Sequence, residues 1–508
     1  MHSVSRGLCI GLMLLASGSA GIAQSRGGGI GGAIGGIGGA VGGTVGGVGG
    51  TVGGTVGGVG GAIGGTVGGV GGAVGGLGGP FSSIGNSVGG LGSGIGSGTQ
   101  TIGGRLVNYT NQAFDISRED IELELESNLN QLEYGWWARE VPAATLLDLR
   151  KLRLAQLVKD SNGRLEMDGA GNPTVRGRLI AVDPTKASLS AARRAGFTVI
   201  ARESDPVLGI GLVVLASPRG LKSADAMLLL RRSAPSLIVE FDHVFEPAGG
   251  TLAASSVALA ASTASVPIGG RPLIGMIDGG VAESPTLAHA AIEQKGFAGP
   301  PQATGHGTAI ASLIVGSNGK FRGAAPNAAL LVGDVYGGNP AAGSALAIAK
   351  ALSWVASQRP SVINISLVGP HNRVVERAVR AAQARGIKIV APVGNDGPAA
   401  PPLYPASQAG VIAVTGVDAT SRALTEAGKP LHLDYSAPGA DMAAALPGKG
   451  YANVRGTSFA APFVAARLAL TGSTLRLDSE ADRKGYGRIG RGIVCKPCRV
   501  APKKVGLR

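Results

Sequence analysis

Aromatic side chains make up only 4% of this 508-residue sequence, which leaves little material for a base-stacking surface or a large aromatic ligand pocket. Cysteine is scarce, with three residues, and between Gly27 and Gly104 there is no charged residue at all. Glycine reaches 88 residues, and most of the excess lies in that uncharged stretch. The chain is therefore a composite of unlike segments, long enough for two or three domains with hydrophobic cores of their own.

Residues 1–23 have the pattern of an export signal. Arg6 supplies a positive charge, a short apolar run follows from Leu8 to Ala16, and Ala20 and Ala23 are plausible cleavage positions. The apolar run is too short to cross a membrane, and no cysteine follows it that could carry a lipid anchor. We therefore expect a secreted protein, or one of the periplasm or cell envelope.

The two cysteines beyond this signal, Cys495 and Cys498, stand in the sequence CKPC. In an oxidising compartment we expect them to form a small local disulfide. A redox-active CxxC pair and half of a zinc site are the alternatives, although no second pair of cysteines exists to complete four zinc ligands.

Residues 24–104 form a glycine-rich, low-complexity repeat. Gly-Gly pairs and single Val, Ile or Leu residues recur in units such as GGTVGGTVGGV, at a period of about 3.7 residues, which is close to helical. Because each glycine costs a helix about 1 kcal/mol relative to alanine, such a helix is not expected to persist alone in water. Two interpretations stay open: a flexible spacer, or a segment at 27–79 that associates with a membrane or with itself.

The formal net charge is +14, and nine Lys or Arg with no acidic residue lie between Arg483 and Arg508. We interpret residues 476–508 as a solvated basic tail, with retention on an anionic cell envelope as the alternative. No recognisable nucleic-acid motif accompanies the charge, so no nucleic-acid partner is expected.

Between the glycine-rich repeat and the catalytic motifs, the sequence predicts a spacer and a small folded domain. Residues 105–177 form a spacer region with a helical pattern in AATLLDLRKLRLAQLV. Residues 178–248 have a βαββαβ pattern, with strands RLIAVD, FTVIARES, GLVVLAS and SLIVEFDHVFEP and two helices, the first closed by Gly196. That order is typical of a ferredoxin-like α+β domain. Residues 249–270, rich in Ala and Ser, are predicted to be an exposed, cleavable linker.

Residues 271–475 alternate short apolar runs with amphipathic patterns. Continuous apolar strands that alternate with helices are typical of an α/β fold, a doubly wound parallel sheet covered by helices on both faces. The predicted strands are PLIGMID, AALLVGDVY, SVINISLVG, IKIVAPVG and GVIAVTGV, and the predicted helices are GSALAIAKALSWVASQ and NRVVERAVRAAQARG.

Polar residues stand where the carboxyl ends of these strands gather, the usual place for chemistry on such sheets. Asp278 ends PLIGMID and Asn395 follows IKIVAPVG, whereas His306 and Ser458 lie in Gly-flanked turns that open apolar helices. A serine hydroxyl becomes an effective nucleophile when an imidazole takes its proton and a carboxylate orients that imidazole. A free N–H at the start of a helix and the amide of Asn395 can both donate to an oxyanion. These residues predict acyl transfer through Ser458.

The segments MIDGGV, GHGTAIAS, SLVG, VGND and GTSFAAP resemble, in order, the sequence blocks of subtilisin-type serine peptidases. The resemblance implies a subtilisin-like catalytic domain that hydrolyses protein or peptide substrates through an acyl-enzyme. It implies a triad of Asp278, His306 and Ser458, with Asn395 as the oxyanion donor. It also implies a backbone edge for an extended substrate, with Gly394 lining the primary pocket. That edge comprises Ser366, Leu367, Val368 and Gly369.

The βαββαβ domain is similar to the intramolecular chaperone and inhibitor of the same family. This similarity implies an autoprocessed zymogen that is cut between Pro247 and Gly270 and inhibited by its own pro-domain. Gly279 departs from the family, which usually has Thr or Ser after the catalytic Asp, and Val368 departs from the commoner SLGG, which can alter the pocket.

No acidic loop predicts a calcium site, so neither a metal nor a cofactor is expected. Two other functions stay open as alternatives, a non-catalytic surface protein on a peptidase fold and a serine esterase. The order Asp278, His306, Ser458 and the position of Ser458 in GTSFA, which is not a G-x-S-x-G elbow, argue against the esterase.

Overall fold

The computed structural model describes residues 143–248, 269–448 and 450–507, which belong to one compact unit, Asp120–Arg508. The expected signal peptide, the glycine-rich repeat, most of the 105–177 region and nearly all of the 249–270 linker lie outside the described residues. We call 143–248 the N-terminal domain and 269–507 the C-terminal domain. No helix within these ranges is long and apolar enough to cross a membrane.

The N-terminal domain has a central antiparallel sheet with strand order β5-β2-β4-β3. This is the ferredoxin-like arrangement that the βαββαβ pattern predicts, and β1 adds a short pairing at the start of β2. The elements are α1 (Ala143–Asp160), β1 (Leu165–Met167), β2 (Pro173–Val182), α2 (Lys186–Arg194), β3 (Thr198–Asp205), β4 (Ile210–Ala216), α3 (Ser223–Ser233), β5 (Ile238–His243) and the two-residue strand β6 (Glu246–Pro247).

Both faces of the N-terminal sheet are covered. Helices α2 and α3 pack on one face through buried residues such as Leu189 and Leu230. Thr185 caps α2 by accepting from the Ser188 N–H, and Gly196, at φ +90°, follows the helix as expected. Helix α1 and β1 join the same domain, which therefore begins earlier than the expected boundary at residue 178.

The C-terminal domain is built on seven parallel strands in the order β16-β15-β14-β12-β7-β11-β8. Its strands are β7 (Leu273–Asp278), β8 (Ala291–Gly296), β9 (Ser317–Asn318), β10 (Phe321–Arg322), β11 (Ala329–Asp334), β12 (Val362–Ile365), β13 (Leu367–Val368), β14 (Lys388–Pro392), β15 (Ile412–Val417), β16 (Tyr435–Pro438), β17 (Met442–Ala445) and β18 (Tyr451–Val454). Its helices are α4 (Gly305–Val315), α5 (Ala345–Ser357), α6 (Arg373–Ala384), α7 (Ala461–Thr471) and α8 (Thr474–Glu480).

Helices cover the parallel sheet on both sides, as the continuous apolar strands predict. Helices α4 and α7 share one apolar core with the sheet, and α5 and α6 share the other. The second core also contains Ile180, Ile210 and Val214, so the outer face of the N-terminal sheet packs on α5 and α6. The five predicted strands and the two predicted helices are confirmed. The edge strands β8 and β16 were not predicted, because β8 alternates with charged residues and β16 is only four residues long.

The C-terminal segment 476–508 differs from the expected solvated tail. Ile493 and Val494 are buried, and Val494 donates its N–H to the Ser436 carbonyl beside β16. The basic side chains lie at the surface of this layer, where Arg491 pairs with Asp434. The segment packs because apolar residues lie between its charges, a pattern that counting charge alone does not reveal. The structure also joins Cys495 and Cys498 in a disulfide.

Candidate active site

The carboxyl edge of the parallel sheet gathers the polar residues that the sequence singled out. Asp278 is the last residue of β7, Asn395 follows β14, and Ser366 stands between β12 and β13. Parallel strands end at the same edge, so residues nearly 120 positions apart in the chain become neighbours there. His306 lies in the first turn of α4, where Thr304 caps the helix by accepting from the Gly307 N–H at 2.9 Å.

Asp278, His306 and Ser458 form a continuous hydrogen-bonded chain. The His306 Nδ1 lies 2.9 Å from the Asp278 Oδ1, and its Nε2 lies 3.0 Å from the Ser458 Oγ. All three residues are buried, and the ring of Phe459 packs beside the imidazole with centroids 5.3 Å apart. Because an ionised carboxylate only accepts, Nδ1 carries the hydrogen and Nε2 is left to accept from the serine hydroxyl.

Gly279 affects which hydrogen bonds the Asp278 carboxylate accepts. The Gly279 N–H donates to the Asp278 Oδ1 at 2.7 Å, whereas Oδ2 is buried and accepts no hydrogen bond from the residues the structure describes. A Cβ at position 279 would lie 2.3 Å from the Thr304 Oγ1. The cap of α4 therefore occupies the space that a Ser or Thr at 279 would need, and Oδ2 has no partner within the part of the chain that the structure describes.

Two donors converge on the carbonyl oxygen of Ala248, the last described residue of the N-terminal domain. The Ser458 N–H donates to it at 3.2 Å, and the Asn395 Nδ2 also donates to it. The orientation of the Asn395 amide is fixed, because its Oδ1 accepts from the Thr457 N–H at 2.9 Å. This pair of donors is the arrangement that stabilises an oxyanion beside a serine nucleophile.

The chain around this carbonyl lies in the cleft as an extended strand. β6 pairs with β13 in an antiparallel register, and the Ala248 N–H donates to the Ser366 carbonyl at 3.0 Å. On the other side, the Phe245 N–H donates to the Gly343 carbonyl at 2.8 Å, and the Tyr336 hydroxyl donates to the Phe245 carbonyl at 3.0 Å. The segment is therefore held between two backbone edges, as an added β-strand.

The expected substrate-binding residues occupy different positions along this cleft. Ser366, Leu367 and Val368 line the strand, and the Ser366 Oγ also donates to the Ser458 carbonyl at 3.3 Å. Gly369 instead exchanges both backbone hydrogen bonds with Tyr404, and the Phe245 ring fills the space above it. Gly394, at φ +90°, lies beside Val368 and Leu403 at the position of the expected primary pocket.

Two arginines of α1 contact residues at the same cleft, and the sequence did not predict these contacts. Arg153 binds both oxygens of Glu246, at 3.1 and 3.2 Å, and also Asp396 at 2.9 Å. Arg150 binds the other oxygen of Asp396 at 3.0 Å. The helical pattern of α1 was visible in the sequence, but nothing there indicated that its basic face contacts residues more than 90 positions away.

Two buried acids of the described structure serve as backbone acceptors around the cleft. Burial raises the pKa of Asp334, while N–H donors from Gln302, Tyr336 and Gly337 partly offset that effect. Burial also raises the pKa of Asp242, which accepts from the Leu346 N–H at the start of α5. Within the described residues, no group of three or more His, Cys, Asp or Glu side chains could hold a metal ion.

Comparison with known proteins gives consistent matches over the C-terminal domain. Residues 269–482 match the model of the subtilase family, Peptidase S8. Subtilisin DY of Bacillus licheniformis is 32% identical over 211 residues, which are 40% of this chain and 77% of that protein. Subtilisin Savinase of Lederbergia lenta is 37% identical over 169 residues, 33% of this chain and 62% of that protein.

Other relatives are covered less completely. The alkaline protease of Alkalihalobacillus alcalophilus is also 37% identical over 169 residues, but these are only 44% of its length. The chain thus spans less than two thirds of several curated relatives that it matches. Among solved structures, fervidolysin from Fervidobacterium pennivorans, a keratinolytic enzyme related to subtilisin, has a TM-score of 0.51 at 19% identity, over 63% of this chain and 60% of that one. This last likeness shows the same fold.

Proposed function

Because the chain belongs to the subtilase family, we propose that it is a serine endopeptidase of the subtilisin type, made as a zymogen that cuts itself and then acts on protein or peptide substrates. The observation that carries the proposal is the position of the Ala248 carbonyl oxygen, which accepts from both the Ser458 N–H and the Asn395 amide. The N-terminal domain thus presents its own final strand as a substrate would lie, and the bond after Ala248 is the proposed processing site.

The geometry supplies each proton and charge that acyl transfer needs. The Ser458 Oγ attacks the carbonyl carbon while His306 Nε2 takes the hydroxyl proton, and Asp278 stabilises the imidazolium through Nδ1. Negative charge develops on the carbonyl oxygen, where the Ser458 N–H and Asn395 donate. His306 returns the proton to the leaving amine as the C–N bond breaks, which leaves an acyl-enzyme. Water, activated by the same imidazole, then releases the acid.

The N-terminal domain acts as the inhibitor after the cut, because its contacts with the C-terminal domain do not depend on the peptide bond that is broken. Its sheet packs on α5 and α6 through an apolar core, and Asp242 caps α5. Asn372 at the start of α6 donates to the Phe241 carbonyl at 2.9 Å and contacts the His243 ring. These contacts keep Glu246–Pro247 paired with β13 and exclude other substrates from the cleft.

We place the mature enzyme outside the cytoplasm, in the cell envelope or secreted. This proposal is supported by the apolar segment that follows Arg6 near the N-terminus, which has the pattern of an export signal. The Cys495–Cys498 disulfide also suits an oxidising compartment. The glycine-rich segment at 27–79 remains a flexible spacer or a region of membrane or self-association under this proposal.

The test uses the full chain and its Ser458→Ala variant, produced in a host without other extracellular proteases. We expect the wild type to yield a fragment that begins at Gly249, identified by mass spectrometry, and to be labelled on Ser458 by a serine-directed phosphonate. We expect the variant to stay uncleaved and unlabelled, with unchanged circular dichroism. Normal cleavage of Ser458→Ala would assign processing to another enzyme, and an intact, unlabelled wild type would favour a non-catalytic scaffold.

A further inference from the structure

The side chain of Ala248 lies in a very small apolar cluster. Its methyl group packs with Val368 and Leu403, and these three residues are only 2%, 5% and 4% exposed. Because the carbonyl of Ala248 lies between the two oxyanion donors, this cluster surrounds the side chain that precedes the bond to be cut. Its size therefore sets which side chain can occupy that position.

Leu403 also lies against Gly394, at the position of the expected primary pocket. A Cβ built on Gly394 would lie 2.5 Å from the Leu403 Cδ1 and 3.6 Å from the Val368 Cγ1. The leucine thus lies directly against the backbone that forms the opposite wall, with no layer of space between them. A ring or a long aliphatic chain in place of the Ala248 methyl group would need the volume that Leu403 occupies.

The backbone around Leu403 is fixed to the same edge that holds the substrate strand. Tyr404 donates to the Gly369 carbonyl at 2.9 Å and accepts from the Gly369 N–H at 3.0 Å. The Leu403 carbonyl accepts from the Ser407 N–H at 3.0 Å. These hydrogen bonds, made by the leucine carbonyl and by the next residue, oppose a backbone shift that would withdraw the Leu403 side chain from the cluster.

We propose that Leu403, together with Val368, closes the primary specificity pocket and restricts this peptidase to bonds that follow alanine or a similarly small residue. The inference rests on the proposed function and names its substrate class. Hydrophobic pockets discriminate by about 10–200-fold for each methylene they hold or lack, so a pocket that excludes a ring gives at least ~100-fold discrimination in kcat/KM.

The first test measures hydrolysis of fluorogenic peptides with the sequence of residues 244–251, in which position 248 is Ala or Phe. The enzymes are the self-processed wild type and Leu403→Ala, each assayed after dilution has released the N-terminal domain. Leu475→Ala, treated in the same way, is the control, since Leu475 is 77% exposed on α8. We expect the wild type to prefer the Ala peptide by at least ~100-fold and Leu403→Ala to reduce that preference by at least ~10-fold, chiefly by faster cleavage of the Phe peptide. Leu475→Ala should keep the wild-type preference.

Equal rates on the two peptides, or an unchanged preference in a Leu403→Ala enzyme that still cleaves the Ala peptide, would overturn the proposal. Labelling of Ser458 by the phosphonate separates this failure from that of the proposed function. If the enzyme is labelled but shows no preference between the two peptides, only the assignment of the pocket is refuted. If it is unlabelled and cleaves neither peptide, the proposed function is refuted as well.

The second test needs no added substrate and does not depend on isolating an active Leu403 variant. In the full chain, Ala248→Phe places a ring at the position of the methyl group, and we expect it to slow self-cleavage at least ~100-fold. Adding Leu403→Ala to Ala248→Phe should restore cleavage after residue 248, detected by mass spectrometry. Normal processing of the single variant, or no recovery in the double variant when Leu403→Ala alone processes normally, would refute the role of Leu403.

Discussion

Replacing Arg153 by methionine should loosen the N-terminal domain from the cleaved enzyme. The guanidinium joins Glu246, two residues before Ala248, to Asp396 beside the oxyanion donor Asn395. Burial lowers the pKa of Arg153, but the charges of Glu246 and Asp396 outweigh this effect and hold its pKa above the usual value. Arg153 is therefore a fixed positive charge between two acids, at the point where β6, the proposed inhibitory strand, enters the cleft.

The expected loss of binding free energy depends on how buried Arg153 is and on which ion pairs remain after the substitution. Hydrogen bonds to charged groups contribute about 1.5–3 kcal/mol, but Arg153 is 44% exposed, and Asp396 keeps its bond to Arg150. We therefore take about 1–2 kcal/mol for the Arg153–Asp396 pair, which joins the two domains, whereas Arg153–Glu246 lies within the N-terminal domain. This free energy corresponds to roughly 5–30-fold weaker retention of the N-terminal domain. Methionine preserves the alkyl stem, so the packing of α1 changes little.

The assay follows the appearance of activity when the self-cleaved complex is diluted into fluorogenic substrate. We expect Arg153→Met to release activity roughly 5–30-fold faster than the wild type, and the difference to shrink in high salt as the ion pairs are screened. Lys151→Met is the matched control, because Lys151 lies on the same helix and, among the described residues, pairs only with the exposed Asp148. Equal release rates for the Arg153 and Lys151 variants would refute the bridging role.

Two further predictions concern the oxyanion donor and acid stability. Asn395→Ala should lower kcat by roughly 10²–10³, a value known for this donor in subtilisin rather than worked out from this structure, with KM little changed in steady-state kinetics. Burial raises the pKa of Asp168, but hydrogen bonds from His243, Asn172 and Ala170 outweigh it and lower the pKa to about 2 from 3.8. The contribution of ionised Asp168 to the free energy of unfolding is therefore present above about pH 4 and is lost as the pH falls towards 2. In urea unfolding of the uncleaved Ser458→Ala chain, Asp168→Asn should reduce the loss of stability over that range, whereas exposed Asp148→Asn should not.

The positions of Asp278, His306, Asn395 and Ser458 in the fold were predictable because each is marked by local sequence. Buried parallel strands are nearly continuous apolar runs, so the residue that ends each run is visible without a structure. Glycines beside His306 and Ser458 mark turns that open helices. The departure at Gly279 was visible too, but the close approach of the Thr304 side chain to Gly279 depends on a contact across 25 residues. The sequence also did not show that Asp278 Oδ2 has no hydrogen-bond partner among the described residues.

The sequence alone determined the fold class, the ferredoxin-like domain and the order of Asp278, His306 and Ser458 as candidate site residues, since all of these follow from periodicity and short motifs. Only the tertiary structure decided that the Ala248 carbonyl accepts from Ser458 and Asn395, that Arg153 reaches Asp396, and that Leu403 packs with Ala248. These contacts join segments between 147 and 243 residues apart. The contact of Leu403 with Val368 is shorter in sequence and depends on the pairing of Tyr404 with Gly369. Composition and periodicity record which face of an element is buried, but not which distant element covers it, and that choice is made when the cores pack together.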